Sequence, residues 1–558
     1  MRLLWLSLLI PAFLHAGWTE YRSGPFNVMT DAGAREGRDV LAHFEQLRHV
    51  FGKLTGKEDA KSLWPIRIVA FRNPKDAAAY AGIPPLALAR DEYVASFPAG
   101  GVPPAVSKAA VQVFLDSNLA ARMPAGLEQA LATLLSTLQV KATRVTLGIP
   151  PPPAERTEAW ARLHMLATRP EYSGRVRVLL FNLQQGGDPD PAYRNAFEKP
   201  AAALDQEAAA YLAAGKFEPV PFSSRPIDPE KEFHGRDLED DEWKLRLADL
   251  LLAGPSRNAA ARSACQAVLN LNGSSPGAHE CLGLIALREG DRATAKQELT
   301  AAAGEGNRSA RAVFELALLN RNDPSGLEKA AQMNPRWAEP YRVLAEGASN
   351  PQRKAQLLKT AAGLAPRDSS LWRSLAELYT AQNEYSEAAR AWAAADRSAA
   401  DDKERAAAIE ARSALERGRQ QHEDEERARA AAEEAKAVQK LKDELDARVH
   451  AAEAAANQAN SSSPAPSKVV PWFEGPKADR VTGALRSVEC LARGQARLHV
   501  QTSDGKTVVL LIRDPKQVVI LGGTGQATLG CGPLRPARDV NVEYLPKTPP
   551  EVTVVEFR

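Results

Sequence analysis

The sequence predicts a multidomain protein: an α+β N-terminal domain, an all-α region of helical repeats, a long charged helix and a small all-β domain. Three observations support this prediction. At about 150 residues per domain, 558 residues correspond to three or four domains, and 44% hydrophobic residues are ordinary for globular proteins. The hydrophobic pattern changes along the chain from mixed, to helical, to strict alternation. An alanine-rich charged stretch separates the last two patterns.

The overall composition excludes several classes of protein. The formal net charge is only +2, which argues against a nucleic-acid-binding surface and against a polybasic membrane anchor. Four cysteines are too few to build a disulfide scaffold in a chain of this length. We therefore expect no nucleic-acid partner.

The first sixteen residues have the order of a secretory signal peptide. Arg2 is followed by a twelve-residue apolar run that ends at Leu14 and then by His15 and Ala16. Twelve residues are too few to cross the bilayer as a helix, and no later run reaches eighteen apolar residues. We expect cleavage near Ala16, export to the periplasm or the medium, and no membrane span. The alternative is a buried N-terminal strand or helix.

Residues 17–222 mix strands and helices. Alternation and β-branched residues predict strands at 26–31, 66–72 and 144–147. Apolar residues on one face predict a helix over 35–54, and two more helices are predicted at 105–123 and 124–138, with Pro124 in the first turn. Residues 223–240 are polar and acidic, which indicates a linker.

Residues 241–399 are helical and repeat with a period of about 35. Ala248, Ala260 and Ala264 return 35 residues later as Gly283, Ala295 and Leu299, and proline follows asparagine or alanine at 335 and 366. This pattern resembles the tetratricopeptide repeat, a helix–turn–helix unit of about 34 residues. The alternative is a generic alanine-rich helical bundle.

The last two regions differ sharply in composition. Residues 400–460 are rich in Ala, Glu, Arg and Lys and contain no proline, which predicts a long helix. Its apolar seam of Val438, Leu441 and Leu445 is too short to predict a coiled coil. Residues 461–471 are a Ser/Pro linker. Residues 472–558 predict a small β domain with a hairpin turning at Asp504-Gly505.

The N-terminal region resembles the exported peptidase MA-like group of gluzincin metallopeptidases. The similarity runs in order through WTEYRSGPFNVMTD (18–31), FEQLRHVF (44–51), IRIVAFR (66–72), Asn118, Pro124, LEQALATLL (127–135), VKATRVTLGIP (140–150) and the segment 192–212. Active members carry H-E-x-x-H on the first helix of a pair and a glutamate ligand on the second. The resemblance therefore implies a zinc peptidase fold.

The residues that this chemistry needs are absent from the matching positions. H-E-x-x-H is replaced by KAAVQ at 108–112, so that Lys108, Ala109 and Gln112 stand where zinc ligands and the catalytic glutamate are required, and Gln129 replaces the third ligand. Neutral amides and a cation are poor substitutes for imidazole and carboxylate ligands. The sequence predicts a degenerate site with no catalytic residue, no metal and no cofactor.

The cysteines give one structural prediction. A bond between Cys490 and Cys531 would stabilise the small β domain, whereas nothing in a helical repeat calls for a bond between Cys265 and Cys281. We therefore expect the first pair to be bonded and the second to be free. The alternative for Cys490 and Cys531 is two buried thiols. The β domain itself resembles a small module that is appended to exported bacterial repeat proteins.

These observations favour an exported, non-catalytic binding or scaffold protein. The helical repeats are expected to hold a protein or peptide partner, as stacked repeats commonly do, and the degenerate peptidase-like domain is expected to bind polypeptide without cutting it. Two alternatives remain: a hydrolase with an unrecognised site, and an envelope spacer whose long helix would span about 85 Å. The sequence leaves the oligomeric state open.

Overall fold

The computed structural model describes residues 17–558, except 125, 142–143, 173, 187, 305–308, 461–476 and 523–528. The predicted signal peptide and the Ser/Pro linker lie outside the described residues. The chain divides into two compact units, the first ending at Glu433 and the second beginning at Glu434.

The first unit is built on a six-stranded sheet with the strand order β4-β5-β3-β2-β1-β9. The three central strands β5, β3 and β2 are parallel, and the outer strands are antiparallel to their neighbours. A second sheet joins three short strands in the order β6-β7-β8. The strands are β1 (Thr19–Ser23), β2 (Phe26–Thr30), β3 (Ile66–Phe71), β4 (Ala87–Leu88), β5 (Tyr93–Pro98), β6 (Gln139–Lys141), β7 (Arg144–Leu147), β8 (Val220–Phe222) and β9 (Gly235–Asp237).

Nine helices accompany these strands among the described residues of this domain. Helices α1, α3, α4, α5 and α6 contribute many of the apolar side chains of the main core, which also includes Phe26, Val28, Ile66 and Ile68 of the sheet. The helices are α1 (Ala34–Thr55), α2 (Pro74–Ala78), α3 (Pro104–Asn118), α4 (Leu127–Ser136), α5 (Glu158–Thr168), α6 (Val176–Gln184), α7 (Pro189–Phe197), α8 (Ala201–Ala214) and α9 (Pro229–Glu232).

Ten further helices form five consecutive antiparallel pairs over residues 240–398. Their first helices begin 36, 34, 29 and 30 residues apart, so the prediction of tetratricopeptide-like repeats is confirmed at the level of architecture. The pairs are α10 (Asp240–Ala253) with α11 (Asn258–Leu271), α12 (Pro276–Arg288) with α13 (Arg292–Ala302), α14 (Ala310–Leu319) with α15 (Pro324–Met333), α16 (Glu339–Gly347) with α17 (Pro351–Leu364), and α18 (Ser369–Ala381) with α19 (Tyr385–Ser398).

The sheet is buried on both faces, and the repeats cover the second face. All six residues of β3 are buried, and because side chains alternate along a strand, Ile66 and Ile68 enter the main core. Val69 and Phe71 enter a separate cluster with Leu250 of α10. The first repeat helix therefore completes a three-layer arrangement of helices, sheet and helix.

Contact between the repeats and the N-terminal domain continues at, or just before, the first helices of later pairs. Arg311 at the start of α14 donates to the carbonyl oxygen of Ala89 at 2.9 Å, and the ring of Trp337, just before α16, lies 5.1 Å from that of Trp64. Before α18, Arg367 pairs with Glu128 at 2.6 Å. The N-terminal domain of the same chain thus contacts the array along α10 and at the starts of the later first helices.

The structure corrects the predicted linker and one helix pair. Residues 223–240 contain α9 and β9, and β9 pairs with β1, because the edge of the sheet offers unpaired backbone groups. The first helix of the pair ends at Asn118, whose side-chain amide bonds to the backbone of Lys61. Pro124 is not in the first turn of the second helix, which begins at Leu127 after Gly126 in the left-handed region.

The long helix α20 runs over Asp402–Asn460, in agreement with the sequence. The small domain contains β10 (Asp479–Cys490), β11 (Ala496–Gln501), β12 (Thr507–Ile512), β13 (Val519–Leu521), β14 (Gly532–Leu545) and β15 (Glu551–Phe557). The predicted hairpin is β11–β12, with Gly505 at φ 83° in its turn. Among the described residues, no helix is both long and apolar enough to cross a membrane.

Both cysteine pairs form disulfides. Cys490 is bonded to Cys531, with their Cα atoms 5.5 Å apart. The prediction that Cys265 and Cys281 remain free is wrong: they are bonded, with Cα atoms 6.4 Å apart. The physical reason is that α11 and α12 pack closely where both side chains are fully buried, a proximity between consecutive pairs that the repeat pattern alone does not reveal.

A buried charge cluster joins the sheet to the repeats. Arg90, which follows β4, binds Asp249 of α10 at 2.8 Å and lies 3.4 Å from Glu280 of α12. Arg67 of β3 lies 3.3 Å from the same aspartate and also pairs with Glu92. Glu280 additionally accepts a hydrogen bond from Ser309, and Asp91 lies close enough to act electrostatically on Glu280.

The carboxylates of this cluster outnumber its guanidinium groups by four to two, counting Asp91, Glu92, Asp249 and Glu280 against Arg67 and Arg90. Burial raises the pKa of Glu280 to about 7, with Arg90 opposing the change and Asp91 and Asp249 adding to it. Burial likewise raises the pKa values of Asp91 and Glu92. The cluster therefore favours a protonated Glu280 below neutral pH.

Glu280→Gln should change how stability depends on pH. The folded-state pKa of Glu280 is above its ordinary value of 4.5, so its stabilising contribution is complete below about pH 4.5 and is lost as the pH rises through 7. From about pH 5 to about pH 8, the wild-type chain should therefore lose up to a few kcal/mol of unfolding free energy relative to the variant, at about 1.4 kcal/mol per pKa unit. Urea unfolding at several pH values measures this difference. The exposed Glu230→Gln is the control, and parallel curves for wild type and E280Q would contradict the assignment.

Candidate functional site

The four positions that the sequence predicts to form a degenerate peptidase site line one cavity of about 790 Å³ in the first unit, which we call the cleft. One wall consists of α3, α4 and the loop between them, and the opposite wall is the segment that leads into α20. The side chains and backbone that line it are Pro85, Ala105, Lys108, Ala109, Gln112, Arg122, Met123, Pro124, Gly126, Glu128, Gln129, Ala132, Ala399, Ala400, Asp401, Asp402 and Arg405.

These four positions therefore lie close together in the folded chain. Lys108, Ala109 and Gln112 share a face of α3 because residues three and four apart are neighbours on a helix, and Gln129 stands exposed on α4 across from them. The Lys108 Nζ lies 2.9 Å from the Glu155 carboxylate.

The cleft does not fit a zinc ion. Lys108 brings a cation to the position that the resemblance assigns to the first imidazole ligand, and its ion pair engages the nearby Glu155 carboxylate. The Gln112 amide nitrogen lies 3.3 Å from the Asp116 carboxylate, so the amide is turned to a neighbour on its own helix. Among the described residues, no group of three or more His, Cys, Asp or Glu side chains is placed to hold a metal ion.

The far wall of the cleft comes from residues that the sequence did not indicate. The backbone N–H of Arg122 donates to the carbonyl oxygen of Arg397 at 3.0 Å. The side-chain Nε of Arg122 donates to the carbonyl oxygen of Ser398 at 3.2 Å. These bonds hold the end of α19, and with it the start of α20, against the loop between α3 and α4. The two walls lie more than 250 residues apart in the chain, so no local motif could reveal the pairing.

The charges that line the cleft are balanced. Lys108, Arg122 and Arg405 face Glu128, Asp401 and Asp402, and Met123 and the two prolines supply apolar surface. Balanced charge gives no preference for a polyanion such as nucleic acid. A surface that mixes donors, acceptors and apolar groups suits a polypeptide.

The histidines of the N-terminal domain serve structural roles. His164 is fully buried, with its Nε2 2.7 Å from the Gly148 carbonyl oxygen and its Nδ1 2.9 Å from the Tyr211 hydroxyl. His43 lies 3.0 Å from the buried Ser107 hydroxyl, and burial lowers the pKa of His43 to about 4. Since Ser107 has no exposed surface, its hydroxyl is inaccessible to a substrate.

Comparisons with known proteins find repeat proteins among the solved structures. Neither a protein-family model nor a curated protein matches the sequence. PilF of Pseudomonas aeruginosa aligns with 29% of this chain and 78% of its own at 17% identity and a TM-score of 0.27. TTC0263, a TPR protein of Thermus thermophilus, aligns with 31% of this chain and 98% of its own at 22% identity and a TM-score of 0.24. MamA aligns with 29% of this chain and 94% of its own at 17% identity and a TM-score of 0.23. Similarity this low says nothing about function, and the repeat character of residues 240–398 is established by their own helix pairs.

The mature chain should not retain stoichiometric zinc. Protein purified without a polyhistidine tag, exposed to zinc and then dialysed should contain far less than one zinc ion per chain by atomic emission, because Lys108, Ala109, Gln112 and Gln129 supply no ligand set. Restoring the motif by Lys108→His, Ala109→Glu, Gln112→His and Gln129→Glu provides a positive control. One tightly held zinc ion in the unmodified chain would overturn the assignment of a degenerate site.

Proposed function

We propose that this protein is a non-catalytic scaffold that binds an unfolded or extended segment of another protein in the cleft. The observation that carries the proposal is that all four positions line one open cavity, yet none of them offers the imidazole or carboxylate that a zinc peptidase needs as ligand and catalytic base. The cavity is large enough for a peptide and offers donors, acceptors and apolar surface. A degenerate peptidase-like domain would thus keep the polypeptide-binding role and lose cleavage.

The repeats support this role indirectly. Stacked helix pairs commonly bind partners on a concave surface, and in this chain the array also contacts the N-terminal domain through α10, through the start of α14 and just before α18. We therefore propose that the array fixes the position of the N-terminal domain. Residues 399–405, which follow the array, then form one side of the cleft. A partner is then held between the two parts of the chain.

Site-specific photocrosslinking tests the proposal. A photoreactive amino acid replaces Gln129 in the cleft or, as a matched control, Gln139, an exposed glutamine on β6 outside it. With fluorescein-labelled casein, an unfolded polypeptide, we expect a covalent adduct at position 129, little at 139, and intact casein after prolonged incubation. Equal amounts of adduct at both positions would contradict the proposal that casein binds in the cleft. Casein cleavage that persists in the purified chain would favour a hydrolase instead.

We further propose that the chain is exported. The positive–apolar–small order of residues 1–16 supports export, and so do the two disulfides, which persist in oxidising compartments. Protein recovered from its native host should begin at or near Gly17, and mass mapping of non-reduced digests should find Cys265 linked to Cys281 and Cys490 linked to Cys531. A retained Met1 together with four free thiols would contradict export.

A further inference from the structure

The disulfide between α11 and α12 lies directly behind the buried charge cluster. Cys281 follows Glu280 on α12, and successive residues of a helix point about 100° apart. The Cys281 side chain is therefore bonded to Cys265 of α11, while the Glu280 side chain approaches Arg90 of the N-terminal domain. The bond thus connects the first repeat to the helix that supplies one carboxylate of the junction.

Helix α10 contacts the disulfide and the charge cluster within a single turn. Ala248 and Leu252 belong to the same buried cluster as the two cysteines. Asp249, which lies between them in the sequence, binds Arg90 at 2.8 Å, and Leu250 packs against the second face of the sheet. The helix that packs on the disulfide is therefore also the helix that docks on the N-terminal domain.

Two carboxylates from successive repeats converge on one guanidinium group. Asp249 of α10 lies 2.8 Å from Arg90 and Glu280 of α12 lies 3.4 Å from it. Both carboxylates are almost fully buried, so water screens their mutual repulsion poorly. Because the two arginines of the cluster do not neutralise its four carboxylates, charge alone would drive α10 and α12 apart at this contact.

Helices α10 and α12 nevertheless approach each other closely at the junction. A Cβ added to Gly277, which lies almost one turn before Glu280, would be 2.6 Å from the Leu245 side chain of α10 and 2.9 Å from Nη1 of Arg90. A small displacement of α12 would therefore change its contacts with both neighbours. A covalent bond between α11 and α12 restricts such a displacement.

We infer that the Cys265–Cys281 bond is a redox-dependent lock on the docking of the repeats against the N-terminal domain. With the bond formed, α12 is held where Asp249 and Glu280 reach Arg90 together. Without it, the two carboxylates move apart and the junction loosens. This inference goes beyond the proposed binding role and does not depend on it.

Closing the lock is a two-electron oxidation. The thiols of Cys265 and Cys281 lose two protons and two electrons as the S–S bond forms, and an oxidant of the disulfide class takes them up as it is reduced to two thiols. Both cysteines are fully buried in the folded chain, so an external thiol or disulfide has no access to them. The redox state of this pair is therefore set while the repeats assemble and is kept afterwards.

The test compares the two redox states of the full mature chain. Cys490→Ala with Cys531→Ala removes the other disulfide, so that only the bond in the repeats can form. This variant is refolded with oxidised glutathione or with dithiothreitol, and hydrogen–deuterium exchange is followed by mass spectrometry at pH 8. We expect reduction to speed exchange at least about tenfold in residues 86–92 and in α10, because a bond that closes a loop of about fifteen residues stabilises on the order of a hundredfold. Helices α18 and α19 are the internal control.

Glu280→Gln separates a lock on docking from a general stabiliser of the repeats. At pH 8 the carboxyl of Glu280, whose pKa burial raises to about 7, is mostly charged. Removing that charge removes the repulsion, so the reduced chain with Glu280→Gln should exchange within about threefold of the oxidised chain. The exposed Glu230→Gln should give no such recovery. The groups that face Glu280 are Arg90 and Asp91, Asp249 of α10, and the Ser309 hydroxyl before α14.

Four outcomes would overturn the inference. Equal exchange in both redox states would show that docking does not need the bond. Faster exchange confined to α11 and α12 would show that the bond stabilises only its own helices. No recovery with Glu280→Gln would show that the bond does not oppose charge repulsion. A reduced chain that is unfolded by circular dichroism would also contradict a lock, which requires a folded chain with a loosened junction. Casein crosslinking at position 129 tests the binding role separately.

Discussion

The architecture of the first unit depends on the need to cover the second face of the six-stranded sheet. Strand β3 is buried on both faces, so the side chains that leave the main core must pack against something else. Helix α10 meets this need with Leu250 against Met29, Val69 and Phe71. Burying such side chains contributes about 1.5–3 kcal/mol each, which explains why the repeats pack on the domain instead of projecting from it.

The buried charge cluster at this junction restricts how the repeats can be placed on the sheet more tightly than apolar packing alone could. Arg90 reaches two successive repeats through Asp249 and Glu280, and geometry that satisfies both carboxylates permits little sliding. Removing one partner of a buried ion pair is strongly destabilising, because the remaining charge is then buried without compensation. Burial raises the pKa of Glu280, with a smaller contribution from the nearby carboxylates, and so gives the stability of the junction a pH dependence that extends to the neutral range.

Fixing the array has a consequence at its far end. Arg367 and Arg122 attach the last repeat and the start of α20 to helix α4 and to the loop before it, both of which line the cleft. The cavity at that site therefore has one wall from each part of the chain. An open cleft without zinc ligands is compatible with the proposed binding role, because metal-dependent cleavage needs specific ligand groups whereas binding needs only shape, apolar area and hydrogen-bonding groups.

The sequence by itself determined the types and approximate bounds of most elements and the tetratricopeptide-like period, since these follow from local patterns and fixed spacing. The positions Lys108, Ala109, Gln112 and Gln129 were singled out only by the resemblance to a peptidase family. Only the tertiary structure showed that β9 completes the sheet, that Cys265 is bonded to Cys281, and that the repeats contact the N-terminal domain. Periodicity shows that a face is buried but not what buries it. Contacts between residues far apart in the chain, such as Arg90 with Asp249, depend on how whole layers stack, and no local pattern encodes that.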